Sequence, residues 1–131
     1  MRHLELFAGI GGFRRAMDLL SKDHIMKFHC VGYSEIDPKA VQTYCANYHP
    51  DIDGEVAMGD IVSFTSNPEN IHRLPQFDLV TGGFPCQSFS MMGKQAGFNE
   101  DRGQMFFHIL DILAARMPRY VLLENVKNLK S

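Results

Sequence analysis

The chain has 131 residues, of which 45% are hydrophobic and 21% are charged, and its net charge is −2. This length allows one compact domain, and the composition excludes a disordered or fibrous protein. No stretch of the sequence approaches the roughly 20 consecutive apolar residues of a membrane span. The first residues, with Glu5 inside the first apolar run, argue against a secretory signal peptide.

The cysteines and histidines exclude two further classes of protein. Cys30, Cys45 and Cys86 form no CxxC pair, and the six histidines are scattered without metal-ligand spacing. We therefore expect no disulfide scaffold and no metal site, and we predict a reducing, cytoplasmic setting. Residues 1–85 carry a net charge of −4 and residues 86–131 a net charge of +2. A polyanion is expected to meet the last third, although so small a difference also arises by chance.

Apolar runs alternate with segments of helical period, which predicts a doubly wound α/β domain with about five strands and four helices. Asp37-Pro38 is typical of a helix start, with the aspartate as N-cap. The predicted elements are, in chain order, a strand over 3–7, a glycine-rich turn over 8–12, a helix from 13, a strand over 28–34, a helix from 37 to 49, a short strand over 55–58, a polar connection or short helix over 67–75, a buried strand over 77–81, a polar loop over 87–101, a helix over 104–116 and a strand over 120–123.

Four predicted strands end in chemically distinctive residues: the glycine-rich turn, Glu35, Cys86 and Glu124. The carboxyl ends of parallel strands meet at one crevice, so we expect these groups to lie close together. The turn either packs helix on strand or binds a ligand through its backbone, and Arg14 stands where a dinucleotide fingerprint has its third glycine. Glu35 either accepts hydrogen bonds from ribose hydroxyls or caps the next helix. Asp60 either binds an adenine amino group or belongs to an ordinary turn.

Cys86 and Glu124 are the candidate catalytic side chains. Cys86 follows a buried strand and a proline, whereas Cys30 and Cys45 fit the pattern of small buried hydrophobic residues. Glu124 either donates a proton in the crevice or pairs with Lys127. A Cys–His hydrolase that uses Cys86 and His108 also remains open at this point.

Six segments, in this order, resemble the motifs of the cytosine-5 DNA methyltransferase family: Leu6–Phe13, Ser34–Asp37, Gly59–Ile61, Gly82–Ser90, Gly97–Phe106 and Glu124–Leu129. The resemblance implies a truncated, Rossmann-like methyltransferase fold of mostly parallel strands. It also implies transfer of a methyl group from S-adenosylmethionine (SAM) to carbon 5 of cytosine in DNA. Bacterial or phage restriction-modification or a related DNA-modification system is the expected setting.

The same resemblance assigns roles to individual residues. Cys86 is the implied nucleophile that adds to cytosine C6, and Glu124 the group that hydrogen-bonds or protonates N3. The implied SAM pocket consists of Phe7, Ala8, Gly9, Ile10, Gly11, Glu35, Ile36, Asp60, Ile61, Pro85 and Met105, the last at a position where the family usually has leucine. The implied contacts to the flipped base and the DNA are Phe84, Gln87, Ser88, Ser90, Lys94, Arg102 and Asn125.

The family's later motifs and its target-recognition domain have no counterpart in residues 1–131. We therefore expect a fragment, a truncated product or one subunit of a split enzyme that needs a C-terminal partner chain, with weak activity alone. An uncovered sheet edge would favour self-association. Two alternatives remain: a non-catalytic SAM-binding or assembly subunit, and an RNA cytosine-5 methyltransferase relative. The sequence does not predict the recognised DNA sequence.

Overall fold

The computed structural model describes residues 1–23, 26–85 and 105–126, without the side chains of residues 85, 125 and 126. Strands and helices alternate through these residues, as the sequence predicts. The elements are β1 (Arg2–Leu6), α1 (Gly12–Lys22), β2 (His29–Ser34), α2 (Pro38–Tyr48), β3 (Val56–Gly59), α3 (Ile61–Thr65), α4 (Pro68–His72), β4 (Leu79–Pro85), α5 (Met105–Arg116) and β5 (Tyr120–Val126). The predicted polar loop over 87–101 lies outside the described residues.

The five strands form one parallel sheet in the order β3-β2-β1-β4-β5. The chain adds β2 and β3 on one side of β1 and then returns to add β4 and β5 on the other side. In open α/β sheets the ligand crevice lies at the carboxyl ends of the strands, where the order reverses. Here that point lies between β1 and β4, and the doubly wound α/β fold is confirmed.

The core lies on the sheet and beneath α5. Leu4, Leu6 and Val80 on the two central strands are fully buried, and so are Ile109 and Ile112 of α5. Central strands covered on both faces bury nearly every residue, which explains why the sequence shows continuous apolar runs here. None of the described helices is long and apolar enough to cross a bilayer.

Three elements, α3, β4 and β5, differ from the sequence prediction. Residues 61–65 form the short helix α3, because the Asp60 side chain accepts a hydrogen bond from the Val62 N–H (2.9 Å) and acts as its N-cap. Strand β4 continues through the Gly-Gly pair to Pro85, because it pairs residue by residue with β5, from Leu79 opposite Tyr120 to Pro85 opposite Val126. Tertiary pairing overrides the turn preference of these glycines.

The longer ladder corrects the prediction for Glu124. This residue does not end the last strand but lies inside β5, directly opposite Gly83. The helix prediction at Asp37-Pro38 is confirmed: α2 begins at Pro38, and the Asp37 side chain accepts from the Lys39 N–H at 3.1 Å.

Candidate functional site

The glycine-rich turn crosses the carboxyl end of β1 and is fixed to the end of β2. The Ala8 N–H donates to the Ser34 carbonyl at 2.8 Å, and the Phe7 N–H donates to the Ser34 hydroxyl at 3.1 Å. These bonds hold Phe7 in a left-handed conformation, with φ of 52°, although that region is unfavourable for a bulky side chain. Strained backbone of this kind is typical of functional sites, which indicates a function at the carboxyl end of β1.

Gly11 ends the turn and is required there for two reasons. Its φ is 96°, which L side chains rarely adopt, and a Cβ at this position would collide with the Tyr48 ring. The Tyr48 hydroxyl donates to the Gly11 carbonyl at 3.1 Å. Helix α2 thus supports the turn through Tyr48.

Glu35 connects the turn to the start of α2. Its Oε1 accepts from the Gly9 N–H at 2.7 Å, and its Oε2 accepts from the N–H groups of Ile36 and Asp37 at 3.1 and 3.0 Å. An ionised carboxylate offers about four acceptor positions, so acceptor capacity remains for a ligand. The capping and ligand-binding interpretations of Glu35 are therefore compatible.

A first recess of about 270 Å³ lies beside Glu35. Apolar side chains and two carboxylates form its walls, and the lining residues are Phe7, Ser34, Glu35, Ile36, Gly59, Asp60, Ile61 and Met105. Ile36 is 65% exposed, which leaves an apolar surface unpaired at the rim. Flat apolar surface next to free carboxylate acceptors suits a nucleoside, whose ring is apolar on its faces and whose sugar and amino groups donate hydrogen bonds.

A second, wider recess of about 770 Å³ lies on the other side of Phe7. Its lining residues are Phe7, Ala8, Gly12, Phe13, Ala16, Gly83 and Glu124. Glu124 is exposed, and a Cβ on Gly83 would lie 3.4 Å from the Glu124 Oε1. The absence of a side chain at position 83 therefore leaves room beside this carboxylate.

The structure brings together six of the predicted pocket residues in the first recess: Phe7, Glu35, Ile36, Asp60, Ile61 and Met105. Ala8 lines the second recess, Gly9 contributes through its bond to Glu35, and Ile10 is 62% exposed without lining either. Sequence reasoning missed six lining residues: Ser34 and Gly59 in the first recess, and Gly12, Phe13, Ala16 and Gly83 in the second. Five of them carry no side chain or a small one and so give no chemical signal, and Phe13 fits the apolar pattern of an ordinary helix.

Several predicted residues lie outside the described part of the chain, namely Cys86, Gln87, Ser88, Ser90, Lys94 and Arg102, as do the side chains of Pro85 and Asn125. Phe84, which the resemblance assigns to the DNA-contacting set, is only 4% exposed, and its ring centroid lies 6.4 Å from that of Phe7 and 5.8 Å from that of Phe106. Its ring belongs to the buried core cluster, and its assignment to the base and DNA contacts stays a prediction. His108 bonds to the Thr65 hydroxyl at 2.8 Å, between α5 and α3.

A buried polar cluster lies beneath the turn. The Arg14 guanidinium donates to both carboxylate oxygens of Glu55, at 2.6 and 2.8 Å. Burial raises the pKa of Glu5 to about 7, although hydrogen bonds from Tyr44 and the Arg14 N–H oppose this shift. Burial and the charge of Arg14 lower the pKa of His3 to about 4. Burial raises the pKa of the Cys30 thiol to about 12, which keeps it protonated and unreactive.

A parallel sheet of this order, with a glycine turn after β1 and a carboxylate at the end of β2, defines the class of Rossmann-like nucleotide-binding α/β proteins. Within that class, the chain belongs to the C-5 cytosine-specific DNA methylase family, whose family model matches residues 1–131.

Three curated relatives are type II methyltransferases. The chain is 42% identical over 129 residues to M.BanI of Aneurinibacillus aneurinilyticus, with 98% of this chain and 27% of the relative covered. It is 44% identical over 127 residues to M.NlaX of Neisseria lactamica, with 97% and 36% covered. It is 39% identical over 131 residues to M.HhaI of Haemophilus parahaemolyticus, with 100% and 35% covered. The chain thus spans about a quarter to a third of their length.

A solved structure has the same fold. A DNMT2 mutant from Spodoptera frugiperda superposes with a TM-score of 0.58 at 23% sequence identity, over 98% of this chain and 36% of that one. At this identity the likeness supports the fold alone.

Proposed function

We propose that this chain is the SAM-binding and base-binding part of an enzyme that methylates carbon 5 of cytosine in DNA, within a restriction-modification or related DNA-modification system. The observation that carries the proposal is the pair of recesses on either side of Phe7, one with Glu35 and Asp60 and the other with Glu124. Family membership and the type II methyltransferase names of the relatives support the same reaction.

The first recess fits the adenosine part of SAM. Glu35, with acceptor capacity left after its three backbone bonds, would accept from the ribose hydroxyls. Asp60 would accept from the adenine amino group, because its carboxylate bonds only to the Val62 N–H and the Ser63 hydroxyl among the described residues. The apolar walls would pack against the ring. When bound, SAM supplies an electrophilic methyl group on a sulfonium.

The second recess suits a cytosine taken out of the DNA duplex. Extruding a base costs a few kcal/mol, and an open recess at the sheet edge would receive it. Glu124 in that recess would donate a hydrogen bond or a proton to N3 of the ring.

Cys86 follows directly on Pro85, the last residue of β4, and β4 forms one wall of this recess. We propose that its thiolate adds to C6, which forms an S–C bond and shifts the ring electrons so that C5 becomes nucleophilic. Attack of C5 on the methyl carbon would break the methyl–sulfur bond and release the cofactor as its neutral thioether. Loss of the C5 proton to water and expulsion of the thiolate would then break the C6–S bond and restore the aromatic ring. Gln87, Ser88, Ser90, Lys94, Arg102 and Asn125 are the proposed contacts to base and phosphates.

We also propose that full activity requires protein outside these 131 residues, either a C-terminal partner chain that carries target recognition or a longer form of the protein. The chain spans about a quarter to a third of the length of its relatives. The edge strand β5 also has an exposed apolar surface, formed by Tyr120, Val121 and Leu122, which are 44–51% exposed. Such a surface favours association with another segment or with a second copy. The alternative, a non-catalytic SAM-binding subunit, rests on the same short coverage. Mixing with a separately expressed C-terminal portion would restore methylation only if this chain is catalytic.

A trapping assay tests the reaction directly. The chain is mixed with SAM and a duplex that carries 5-fluorocytosine, and intact mass reports any covalent protein–DNA adduct, with Cys86→Ala as the control. An adduct that disappears in the control is expected if capture and methyl transfer reside in this chain. If no adduct forms even with the C-terminal portion added, the proposed chemistry is wrong.

A further inference from the structure

Helix α1 begins under the glycine turn without a cap of its own. Its N-cap residue, Gly11, has no side chain, and its first turn contains no acidic residue. The first backbone N–H groups of a helix have no acceptor within the helix and need one from elsewhere. The Arg14 N–H, in the third helical position, donates to the Glu5 Oε2 at 3.3 Å. Strand β1 therefore supplies the acceptor that an N-cap side chain usually provides.

The Glu5 carboxylate is itself held in place. Its Oε1 accepts from the Tyr44 hydroxyl at 3.1 Å, and that hydroxyl accepts from the Arg14 guanidinium at 3.1 Å. Glu5 and Tyr44 are fully buried, and Arg14 is 8% exposed. The guanidinium carbon also lies 4.9 Å from the centroid of the Tyr48 ring, whose hydroxyl bonds to Gly11. Side chains from β1, α1 and α2 thus form one connected network with defined geometry.

The network explains the departure from the dinucleotide fingerprint. Arg14 occupies the place of the third glycine, and its side chain runs beneath the turn to Glu55 at 2.6 Å. The upper side of the turn lines both recesses through Phe7, and it contacts Glu35 through Gly9. Tyr48 bonds to the last residue of the turn, Gly11, and Glu5 bonds to the start of α1 that follows it. A shift of the network would therefore move the turn against both recesses.

We infer that Glu5, oriented by Tyr44, is a positioning residue: it fixes the start of α1 and, through it, the glycine turn against bound SAM. The inference rests on the proposed function, because it takes SAM to occupy the recesses that the turn lines. Glu5 itself lines neither recess and acts through the backbone of α1.

The variants Glu5→Gln and Tyr44→Phe test this role with little change of shape. A glutamine amide nitrogen cannot accept from the Arg14 N–H or the Tyr44 hydroxyl, so one of the two bonds to Glu5 is lost. Arg116→Met is the matched control. It removes the side-chain bonds from α5 to the carbonyls of Ile71 and Leu74, at 2.9 and 2.6 Å, which are remote from both recesses.

Two measurements distinguish positioning from plain stability. Hydrogen exchange of the ligand-free protein, by mass spectrometry, follows the peptide over residues 7–15, and calorimetry gives the dissociation constant for SAM. We expect Glu5→Gln and Tyr44→Phe each to raise the exchange rate of residues 7–15 and the dissociation constant for SAM about fivefold. This factor corresponds to the loss of one helix-capping hydrogen bond. Arg116→Met should lower the melting temperature and leave both unchanged.

The inference is overturned if both network variants exchange at residues 7–15 as the wild type does, or if they loosen the turn without weakening SAM binding. Equal weakening by Arg116→Met would also overturn it, because the effect would then follow global stability. Failure of the wild-type chain to bind SAM would contradict the proposed function instead. In that event the exchange data alone decide whether Glu5 fixes the turn.

Discussion

The half of the sheet around β1 and β2 and the half around β4 and β5 differ in the polarity of their side chains. Beside β1 and β2, the polar groups of Glu5, Arg14 and Tyr44 are buried and bonded to one another. On the side of β4 and β5, large apolar side chains are exposed next to the charged Asp111, Arg119 and Glu124: Leu122 of β5 is 49% exposed and Phe107 of α5 is 53% exposed. The side of β1 and β2 also exposes apolar side chains such as Leu19 and Ile52, but buried polar bonds brace it, whereas the exposed apolar side chains of β5 lie on an edge strand, where they favour association. We infer that the side of the polar network is self-sufficient, because its own bonds hold it, and that the apolar surface on β5 is open to association.

The most severe test of the self-sufficient side is Gly11→Ala. The left-handed φ and the collision with Tyr48 together should lower the free energy of unfolding by about 4 kcal/mol, as measured by urea denaturation. Gly12→Ala is the control, because a Cβ there meets nothing within 4 Å and the residue begins α1. Equal losses in both variants would show that the turn is not braced by α2.

The pH dependence of the free energy of unfolding tests whether the Glu5 carboxyl is shielded from water, as its burial indicates. Glu5, facing Arg14, Tyr44 and Glu55, has a pKa of about 7 against 4.5 in the unfolded chain. The native state therefore holds its proton more tightly, and this stabilisation is present below pH 4.5 and is lost as the pH rises through 7. Relative to Glu5→Gln, the wild type should lose roughly 3 kcal/mol between these limits.

The comparison of the wild type with Glu5→Gln also removes the contribution of His3 to the pH dependence. His3, whose pKa is lowered to about 4, contributes stability that is present above pH 6.5 and is lost as the pH falls through 4. Its slope opposes that of Glu5 and is common to both proteins, so the difference between their urea profiles isolates Glu5. A difference profile that is flat from pH 4.5 to 7 would show that Glu5 is hydrated.

Glu35 holds the turn and is the proposed contact to the ribose, so Glu35→Gln tests the first recess. The variant should weaken SAM binding about 100-fold, because hydrogen bonds to a charged group contribute about 1.5–3 kcal/mol each. Calorimetry on the folded variant gives the affinity. Glu69→Gln, on α4 away from both recesses, is the control and should bind like the wild type. Unchanged affinity in Glu35→Gln would remove the ribose assignment.

The apolar surface on β5 is tested by Val121→Lys. A charge on an exposed apolar edge opposes strand association, so self-association measured by light scattering should weaken about tenfold, or about 1.4 kcal/mol. Ala57→Lys, on the opposite edge strand β3, should leave association unchanged. A wild-type chain that stays monomeric at high concentration would contradict the proposed self-association.

The sequence predicts the local features of this molecule and misses those that depend on distant partners. Apolar periodicity and Asp37-Pro38 predict the strands, α2 and the parallel sheet, because these signals lie within a few residues. The burial of Phe84 and the place of Glu124 inside β5 depend on pairing between β4 and β5. The contact of Arg14 with Glu55 joins residues 41 positions apart, and only the folded chain selects that partner.

The pairing of Gly83 with Glu124 fixes the register of β4 against β5, and so sets the spacing between the proposed nucleophile, Cys86, and the proposed acid, Glu124. Adjacent strands lie about 4.8 Å apart, and a slip of one residue turns a side chain to the opposite face of the sheet. Along the chain, Cys86 comes three positions after Gly83 and directly after the last residue of β4. A single deletion within β4 or β5 would therefore misalign the two proposed catalytic groups, even if each strand still formed.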